Sequence, residues 1–207
     1  MEKLKVHLLN PNKRAVTKAV EVLDSSGVVL LPGDTSYLLA VKIGDKKALE
    51  KLNLIKKNRG KKFYSVALSD LSQVSTYADL SDKHYTFIKR LVPGPYTFLV
   101  KASKNIPRVM LEKRKEIGLR IPDSALIAAI IEELGRPLIV STARSTEDED
   151  FFTDPDLDGE DKFSWLARVD LLLDGGYVLP ELTTIIALSG DEYEVIRVGK
   201  GDVSRLP

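Results

Sequence analysis

Residues 28–43 read Val-Val-Leu-Leu-Pro-Gly-Asp-Thr-Ser-Tyr-Leu-Leu-Ala-Val-Lys-Ile, and this stretch decides the fold. It holds two apolar runs, at 28–31 and 37–43, each with the pattern of a strand that is covered on both faces. The proline, the glycine and the hydroxyl side chains between the runs favour a turn. The stretch therefore predicts two neighbouring buried strands. Their turn would carry Thr35, Ser36 and Tyr37 to an edge of the sheet, where open α/β sheets bind ligands.

The rest of the chain alternates helical and strand patterns. Helical periodicity follows the caps predicted at Asn10-Pro11, Asp45 and Ser81, and another helix is predicted to end at Gly135. Further apolar runs predict strands at 64–68, 96–101, 117–121, 138–141, 169–173, 183–188 and 193–198. Strands alternate with helices at first and dominate later. This predicts an α/β (α+β) fold, a single domain with a twisted mixed open sheet and flanking helices.

Composition narrows the possible partners and chemistry. The 207 residues suit one large domain, and 31 Lys and Arg against 30 Asp and Glu give a net charge of +1. No overall field therefore favours nucleic acid or membranes. The absence of cysteine excludes disulfides, thiolate-bound zinc and cysteine nucleophiles. The N-terminus lacks a signal-peptide core and no apolar run reaches about 18 residues, so we expect a cytoplasmic protein without a membrane span.

Several common catalytic and metal-binding motifs are missing. The sequence has no G-x-S-x-G elbow and no Walker GxxxxGK[ST] motif. His7 and His84 lack metal-ligand spacing and are expected at surface or capping positions. Residues 154–159 match the first half of a calcium loop, but Trp165 stands where that loop needs a bidentate glutamate. We therefore predict no metal site, and a solvated loop at residues 147–161, of which nine of fifteen are acidic.

Basic residues at the predicted ends of helices and strands are candidates for anion binding. Residues 56–62 hold five cations at a predicted helix C-terminus. They suit a solvated basic turn, a triphosphate site or contacts with nucleic-acid phosphates. Arg120 lies inside an apolar strand, where a half-buried guanidinium needs an internal carboxylate or a ligand phosphate. Arg144, which follows Ser141-Thr142-Ala143 at another strand end, raises the same two possibilities.

Five short motifs follow one another along the chain. They are Pro32-Gly33-Asp34-Thr35-Ser36-Tyr37, Pro93-Gly94-Pro95-Tyr96-Thr97, Gly118-Leu119-Arg120-Ile121-Pro122, Thr183-Thr184-Ile185 and Arg197-Val198-Gly199. Together they resemble the YrdC-like family, which has the threonylcarbamoyl-AMP synthase fold. The resemblance covers residues 10–205 and implies one YrdC-like domain over that range. It also implies a concave, partly open YrdC/RibB-like sheet with a positively charged cavity.

The same resemblance implies an activity and a role for each site residue. Members of the family join L-threonine, bicarbonate and ATP into threonylcarbamoyl-AMP and release pyrophosphate, as a step towards the modified adenosine t6A in tRNA. ATP would be a substrate, Mg²⁺ would accompany it, and no structural metal would be bound. By position, Thr35 and Tyr37 would face the threonine. Lys56, Arg120 and Thr142 would be catalytic. The nucleotide would be bound by Arg59, Lys62, Ser141, Arg144, Thr183 and Arg197.

Some positions depart from the family pattern. Leu38 replaces the usual glycine after the tyrosine, the K-x-R motif reads Lys56-Lys57-Asn58, and the S-x-N motif reads Thr142-Ala143-Arg144. These changes resemble the YciO-like branch more closely. We therefore predict a YciO-like protein that binds ATP or threonylcarbamoyl-adenylate, with catalysis that is either weak synthesis of this adenylate or its hydrolysis. The alternatives are a non-catalytic module that binds tRNA or double-stranded RNA, and a small-molecule sensor.

Overall fold

The computed structural model describes residues 1–57, 64–110, 116–146, 149–190 and 192–206. Its strands are β1 (Glu2–Lys5), β2 (Val29–Pro32), β3 (Tyr37–Lys42), β4 (Ser65–Ala67), β5 (Tyr96–Lys101), β6 (Glu116–Arg120), β7 (Leu138–Thr142), β8 (Leu171–Asp174), β9 (Thr184–Ser189) and β10 (Glu192–Arg197). Its α-helices are α1 (Lys13–Asp24), α2 (Lys46–Ile55), α3 (Val74–Tyr77), α4 (Asp82–Lys89) and α5 (Ala125–Leu134). Short 3₁₀ turns lie at Leu71–Gln73, Arg108–Met110, Ser164–Arg168 and Val203–Arg205.

All these strands belong to one mixed sheet. Its order is β1-β8-β2-β3-β7-β4-β6-β5-β9-β10. Parallel pairs join β1 to β8, β8 to β2, β4 to β6 and β5 to β9. The other neighbours are antiparallel. The predicted α/β fold with a mixed sheet and flanking helices is therefore confirmed.

Helices cover both faces of the sheet, as the continuous apolar runs of β2 and β3 require. Tyr37, Leu39 and Val41 of β3 belong to the core that α2 and α4 cover. Leu38 and Ala40 belong to the core under α1 and α5. Because successive residues of a strand point to opposite faces, a shift of one residue would exchange the two cores. Burial on both faces therefore fixes the register of β3 and the position of the turn that precedes it.

The predicted helix ends are found except for the start of α1. Asp45 and Ser81 cap α2 and α4, and each side chain accepts a hydrogen bond from the backbone N of the third helical residue. Gly135 ends α5 in the left-handed conformation, with φ of 68°. The cap predicted at Asn10 is wrong. Asn12 is the cap, because its Oδ1 is the atom that reaches the third backbone N of α1, at 2.8 Å.

The acidic segment at residues 147–161 is not a simple solvated loop in its described part, residues 149–161. Phe152 is 1% exposed and packs edge-on against Tyr37, with the ring centroids 5.1 Å apart. Asp158 is buried, and its Oδ2 accepts hydrogen bonds from the backbone N of Thr153 at 2.6 Å and of Asp154 at 3.0 Å. The buried ring therefore ties the segment to the core, and the Asp158 carboxylate stabilises the segment internally.

The prediction for His84 is also corrected. His84 is buried between α4 and β10, and its Nε2 lies 3.3 Å from the carbonyl O of Glu192. His7 is exposed, and its Nδ1 accepts a hydrogen bond from Asn10 N at 3.1 Å, which is a local capping contact.

In the described part of the chain, no cluster of His, Cys, Asp or Glu side chains could hold a metal ion. Over the same residues, no helix has both the length and the apolar character for crossing a membrane.

Candidate functional site

The turn between β2 and β3, residues 33–36, is tight and buried. Gly33 N donates to Ser36 O at 2.9 Å and closes the turn. A Cβ on Gly33 would lie 2.8 Å from Ser36 O, so the close approach requires glycine. Thr35 and Ser36 are each 2% exposed. The second half of the turn therefore lies in the interior, and its polar groups must find partners there.

Arg120 lies at the end of β6 and reaches this turn. Its guanidinium is buried, and Nη2 donates to Asp34 Oδ1. Asp34 Oδ2 accepts a second hydrogen bond from Asp123 N at 3.2 Å. Burial lowers the pKa of Arg120, and the Asp34 carboxylate opposes that effect. Of the two partners considered for Arg120, an internal carboxylate or a ligand phosphate, the structure shows the carboxylate.

Two buried polar atoms, one on the turn and one at the end of β6, have no hydrogen-bond partner among the described residues. They are Arg120 Nε and Ser36 Oγ, and both are buried. A guanidinium has donors on Nε as well as on its terminal nitrogens, so pairing with Asp34 leaves part of its donor capacity unused. Part of the hydrogen-bonding capacity of Arg120 and Ser36 is therefore left unused in the interior.

Tyr37 fastens the turn to the segment that follows β8. Its hydroxyl donates to Gly176 O at 2.8 Å and accepts from Gly175 N at 3.0 Å. Burial raises the pKa of the Tyr37 hydroxyl, so it stays protonated. Tyr37 is fully buried, and its hydroxyl is engaged both as a donor and as an acceptor. Contact of Thr35 and Tyr37 with threonine stays a prediction.

The end of β7 brings together Lys56, Thr142 and Arg144. Lys56 Nζ donates to Thr142 O at 3.0 Å and to Arg144 O at 2.6 Å. The Arg144 guanidinium lies 4.8 Å above the ring of Phe151, a cation–π distance. Ser141 is buried one residue earlier in the strand. Lys56 thus holds the chain that carries the altered S-x-N motif.

Thr183, which precedes β9, is in contact with Arg197 at the end of β10. Arg197 donates to Thr183 O from Nε at 3.1 Å and from Nη2 at 2.9 Å. Thr183 Oγ1 also lies 2.9 Å from Thr97 Oγ1. Arg59 and Lys62, the remaining predicted nucleotide ligands, lie outside the described residues.

The loop after β10 packs against the same strand ends. A Cβ on Gly199 would lie 2.2 Å from Leu182 O, and a Cβ on Gly201 would lie 2.5 Å from the ring of Tyr96. Between these glycines, Lys200 Nζ donates to Asp34 O at 2.9 Å. Sequence reasoning did not find Lys200 or the role of Asp34. The requirement of Arg120 for an anion was the available signal for Asp34.

The predicted site residues thus form two groups that share the turn at 33–36. Lys56, Thr142 and Arg144 reach it through β7, where Ala143 N donates to Tyr37 O at 2.9 Å. Arg120 reaches it through Asp34, and the segment before Thr183 reaches it where Glu181 N donates to Thr35 O at 2.7 Å. A surface cavity of about 700 Å³ lies elsewhere, between α4 and β10, and none of its lining residues was predicted for the site. We place the site at the turn, because the buried polar atoms gather there.

Known proteins share both sequence and fold with this chain. The Sua5/YciO/YrdC family model, whose description is telomere recombination, matches residues 21–199. YciO of Escherichia coli K12 is 36% identical over 199 residues, which cover 96% of this chain and 95% of that protein. The crystal structure of E. coli YciO has a TM-score of 0.90 and 35% identity, and the match covers 100% of both chains.

Two further relatives are described by activity or ligand. A putative threonylcarbamoyl-AMP synthase of Methanocaldococcus jannaschii is 30% identical over 211 residues, covering 98% of this chain and 95% of the relative. The crystal structure of P. abyssi Sua5 complexed with L-threonine has a TM-score of 0.85 over 96% of this chain and 58% of Sua5. At 19% identity, Sua5 shows the fold alone. The extent of the family match and the identity to YciO show that the chain belongs to the Sua5/YciO/YrdC family.

Proposed function

We propose that this protein binds an adenylate, either ATP or threonylcarbamoyl-AMP, at the strand ends around Asp34 and Arg120. The observation that carries the proposal is the pair of buried polar atoms, Arg120 Nε and Ser36 Oγ, without a partner among the described residues. Leaving such a group unsatisfied destabilises a fold by about 1–3 kcal/mol. A polar ligand that supplies the missing hydrogen bonds would remove this penalty.

The cations near the turn suit the phosphates of an adenylate. Arg120 is buried, so a phosphate oxygen that reaches Nε would form a charge-assisted hydrogen bond in a poorly solvated environment. Lys56 and Arg144 belong to the contacts at the end of β7, and Arg197 binds Thr183 O. Both of these segments also contact residues 35–37, so the cations lie on chain that adjoins the turn. We expect Mg²⁺ to enter with ATP, because Mg²⁺ is commonly held by substrate phosphates together with one or two carboxylates.

The proposed reaction is synthesis of threonylcarbamoyl-AMP, and it needs no protein nucleophile. The amine of L-threonine and bicarbonate form a carbamate and water. A carbamate oxygen then attacks the α-phosphorus of ATP, and the bond to the bridging oxygen breaks with its electron pair leaving on pyrophosphate. The side chains around the turn would supply orientation and positive charge for the leaving group. The putative synthase among the relatives and the threonine bound by Sua5 support this choice of substrates.

Binding of tRNA or double-stranded RNA is the alternative from another class. Its basic track would run through residues 56–62 and 113–115, and most of these lie outside the described residues. No contact within the described part of the chain favours it over the adenylate site. A cytoplasmic location likewise stays a prediction from the sequence.

Mass spectrometry of a reaction with ATP, L-threonine, bicarbonate and Mg²⁺ tests the proposal. We expect the wild type to form threonylcarbamoyl-AMP and pyrophosphate in equal amounts. Arg120→Lys keeps the charge but removes the Nε donor, so it should form far less product. Arg136→Lys makes the same change at an exposed position and should match the wild type.

Threonylcarbamoyl-AMP itself is the second substrate to offer. Release of AMP by the wild type, but not by Arg120→Lys, would assign hydrolysis to the same adenylate site. Calorimetry with ATP and with threonylcarbamoyl-AMP reports binding without turnover. The proposal is rejected if the wild type forms no product from either mixture and binds neither compound.

A further inference from the structure

Lys200 and Glu181 close a ring of contacts around the turn at 33–36. Lys200 Nζ lies 2.9 Å from Asp34 O and 3.0 Å from Glu181 Oε2. Glu181 N donates to Thr35 O at 2.7 Å. Asp34 and Thr35 are consecutive, so Lys200 and Glu181 bind the carbonyl groups of two consecutive residues of the turn. The side chains of Lys200 and Glu181 also form an ion pair with each other.

We infer that Lys200 is a positioning residue that orients the Arg120 guanidinium through Asp34, and so sets the affinity of the site for anions. Only the affinity part of this inference rests on the proposed function. The orientation part concerns the protein without a ligand.

The backbone beneath Lys200 is held firmly. Lys200 N donates to Leu182 O at 2.8 Å. On either side, Thr184 Oγ1 accepts from Gly199 N at 2.9 Å and donates to Gly201 O at 2.7 Å. The backbone that carries the Lys200 side chain is therefore fixed by hydrogen bonds, so the ammonium group can restrain the turn.

Asp34 passes this restraint to Arg120. The carbonyl of Asp34 is held by Lys200, while its carboxylate accepts from Arg120 Nη2 and from Asp123 N. The backbone and the carboxylate of Asp34 are thus each held by hydrogen bonds. Because Arg120 Nη2 is bonded to that carboxylate, a shift of the turn would move the guanidinium and change the direction of its unpartnered Nε–H. This direction decides whether an incoming anion meets a donor.

Lys200 and Glu181 can be replaced with little risk to the fold. Their side chains are 41% and 36% exposed, and partly exposed ion pairs contribute little to stability. Their proposed role is geometric, so substitution should alter Arg120 without unfolding the chain. Lys101 offers a matched control, because its exposed side chain pairs with Asp79 far along the chain from the turn.

The first test is an NMR measurement of the Arg120 Nε–H group in the protein without ligand. The ¹H–¹⁵N signal is assigned by its loss in Arg120→Lys. We expect Lys200→Met to shift this signal and to speed its hydrogen exchange, Lys200→Arg to restore it, and Lys101→Met to leave it unchanged. An unaltered signal in Lys200→Met overturns the inference, whatever the protein binds.

The second test is a double-variant cycle measured by calorimetry with inorganic pyrophosphate and with ATP and Mg²⁺. Lys200→Met should weaken binding about fivefold in the wild-type background, and should have no further effect in Arg120→Lys, because it acts through that residue. Equal weakening in both backgrounds would show that Lys200 acts independently and would overturn the inference. If the wild type binds neither probe, the affinity part of the inference fails, and the NMR result alone decides the positioning role.

Discussion

Asp34 and Arg120 form an ion pair whose side chains are only 6% and 5% exposed, and the pair joins the β2–β3 turn to the end of β6. Two charges that are taken out of water in this way depend on each other, because neither has solvent to replace the partner. The backbone N of Asp123 adds a second donor to the carboxylate. The geometry of the site and the stability of the fold are therefore linked at this point.

Arg120→Gln should destabilise the protein strongly. It leaves the Asp34 carboxylate buried without its charge partner, and such a loss lowers the free energy of unfolding by about 3–5 kcal/mol. Urea denaturation measures the effect. Asp34→Asn combined with Arg120→Gln removes both charges and should recover part of the loss. A single variant as stable as the wild type would show that the pair is solvated in solution.

Gly199→Ala should disturb the loop after β10. The added Cβ would lie 2.2 Å from Leu182 O and 2.7 Å from Thr183 O, and backbone atoms cannot move aside as a flexible side chain can. Overpacking of this kind lowers the free energy of unfolding by about 1–3 kcal/mol. Gly159→Ala is the matched control, because a Cβ there meets nothing within 4 Å. Equal stability of the two variants would contradict the close approach of Gly199 to the backbone of Leu182 and Thr183.

Tyr37→Phe should destabilise the fold without disturbing its packing. The ring stays, but Gly175 N and Gly176 O lose their shared partner, at a penalty of about 1–3 kcal/mol in the free energy of unfolding. Tyr177→Phe removes a hydroxyl from a side chain that is 61% exposed and should be neutral. Thermal denaturation of both variants distinguishes these outcomes. The prediction is wrong if the two melting temperatures match.

Asp158 should make the stability depend on pH. Burial raises the pKa of Asp158, but hydrogen bonds from Thr153, Asp154 and Lys162 outweigh it, so the pKa lies below the ordinary value of 3.8. The folded state therefore binds the proton less readily than the unfolded chain. Its carboxylate stabilises the fold above pH 3.8 and loses this contribution as pH falls through the lower folded value.

Asp158→Asn tests this dependence. The variant should be less stable than the wild type by about 2 kcal/mol near neutral pH, and the difference should shrink as the pH falls below about 4. Asp161→Asn, an exposed change in the same segment, should track the wild type at every pH. A difference that does not vary with pH would assign the effect to packing.

Arg144→Asn tests the cation at the end of β7. It removes the guanidinium above Phe151 and restores the amide of the family motif, while the backbone O that accepts from Lys56 is kept. A charge-assisted hydrogen bond contributes about 1.5–3 kcal/mol, so we expect about tenfold weaker ATP binding by calorimetry. Phe151→Leu keeps the cation and should weaken binding less. Unchanged affinity in Arg144→Asn would remove Arg144 from the site.

The elements that could be predicted from the sequence are those with a strong local signal. β3 is apolar on both faces because helices cover both, and α5 ends at a glycine whose φ is positive. β1 was not predicted, because its sequence, Glu-Lys-Leu-Lys, is mostly charged and it lies at an edge of the sheet. Its strand character comes from pairing with β8, a neighbour that no local pattern reveals.

The candidate site shows the same division. The need of Arg120 for an anion follows from its apolar strand, but the choice of Asp34 depends on how the β2–β3 turn meets β6. Lys200 and Glu181 lie in segments without periodicity, and their meeting is a result of tertiary packing. Burial of Phe152 depends in the same way on the ring of Tyr37, which no feature of the acidic segment indicates.

The strand order has a consequence for synthesis of the chain on the ribosome. β8 lies between β1 and β2, and β9 pairs with the outer edge of β5. Strands from the first half of the chain therefore need partners that are synthesised late. Until residues 171–189 have emerged, β2 and β5 each present an unpaired edge, and such edges readily pair with other chains. A nascent chain that stalls before this point would expose both edges and would therefore be prone to aggregate. The edges of β2 and β5 are both paired only when almost the whole chain has left the exit tunnel.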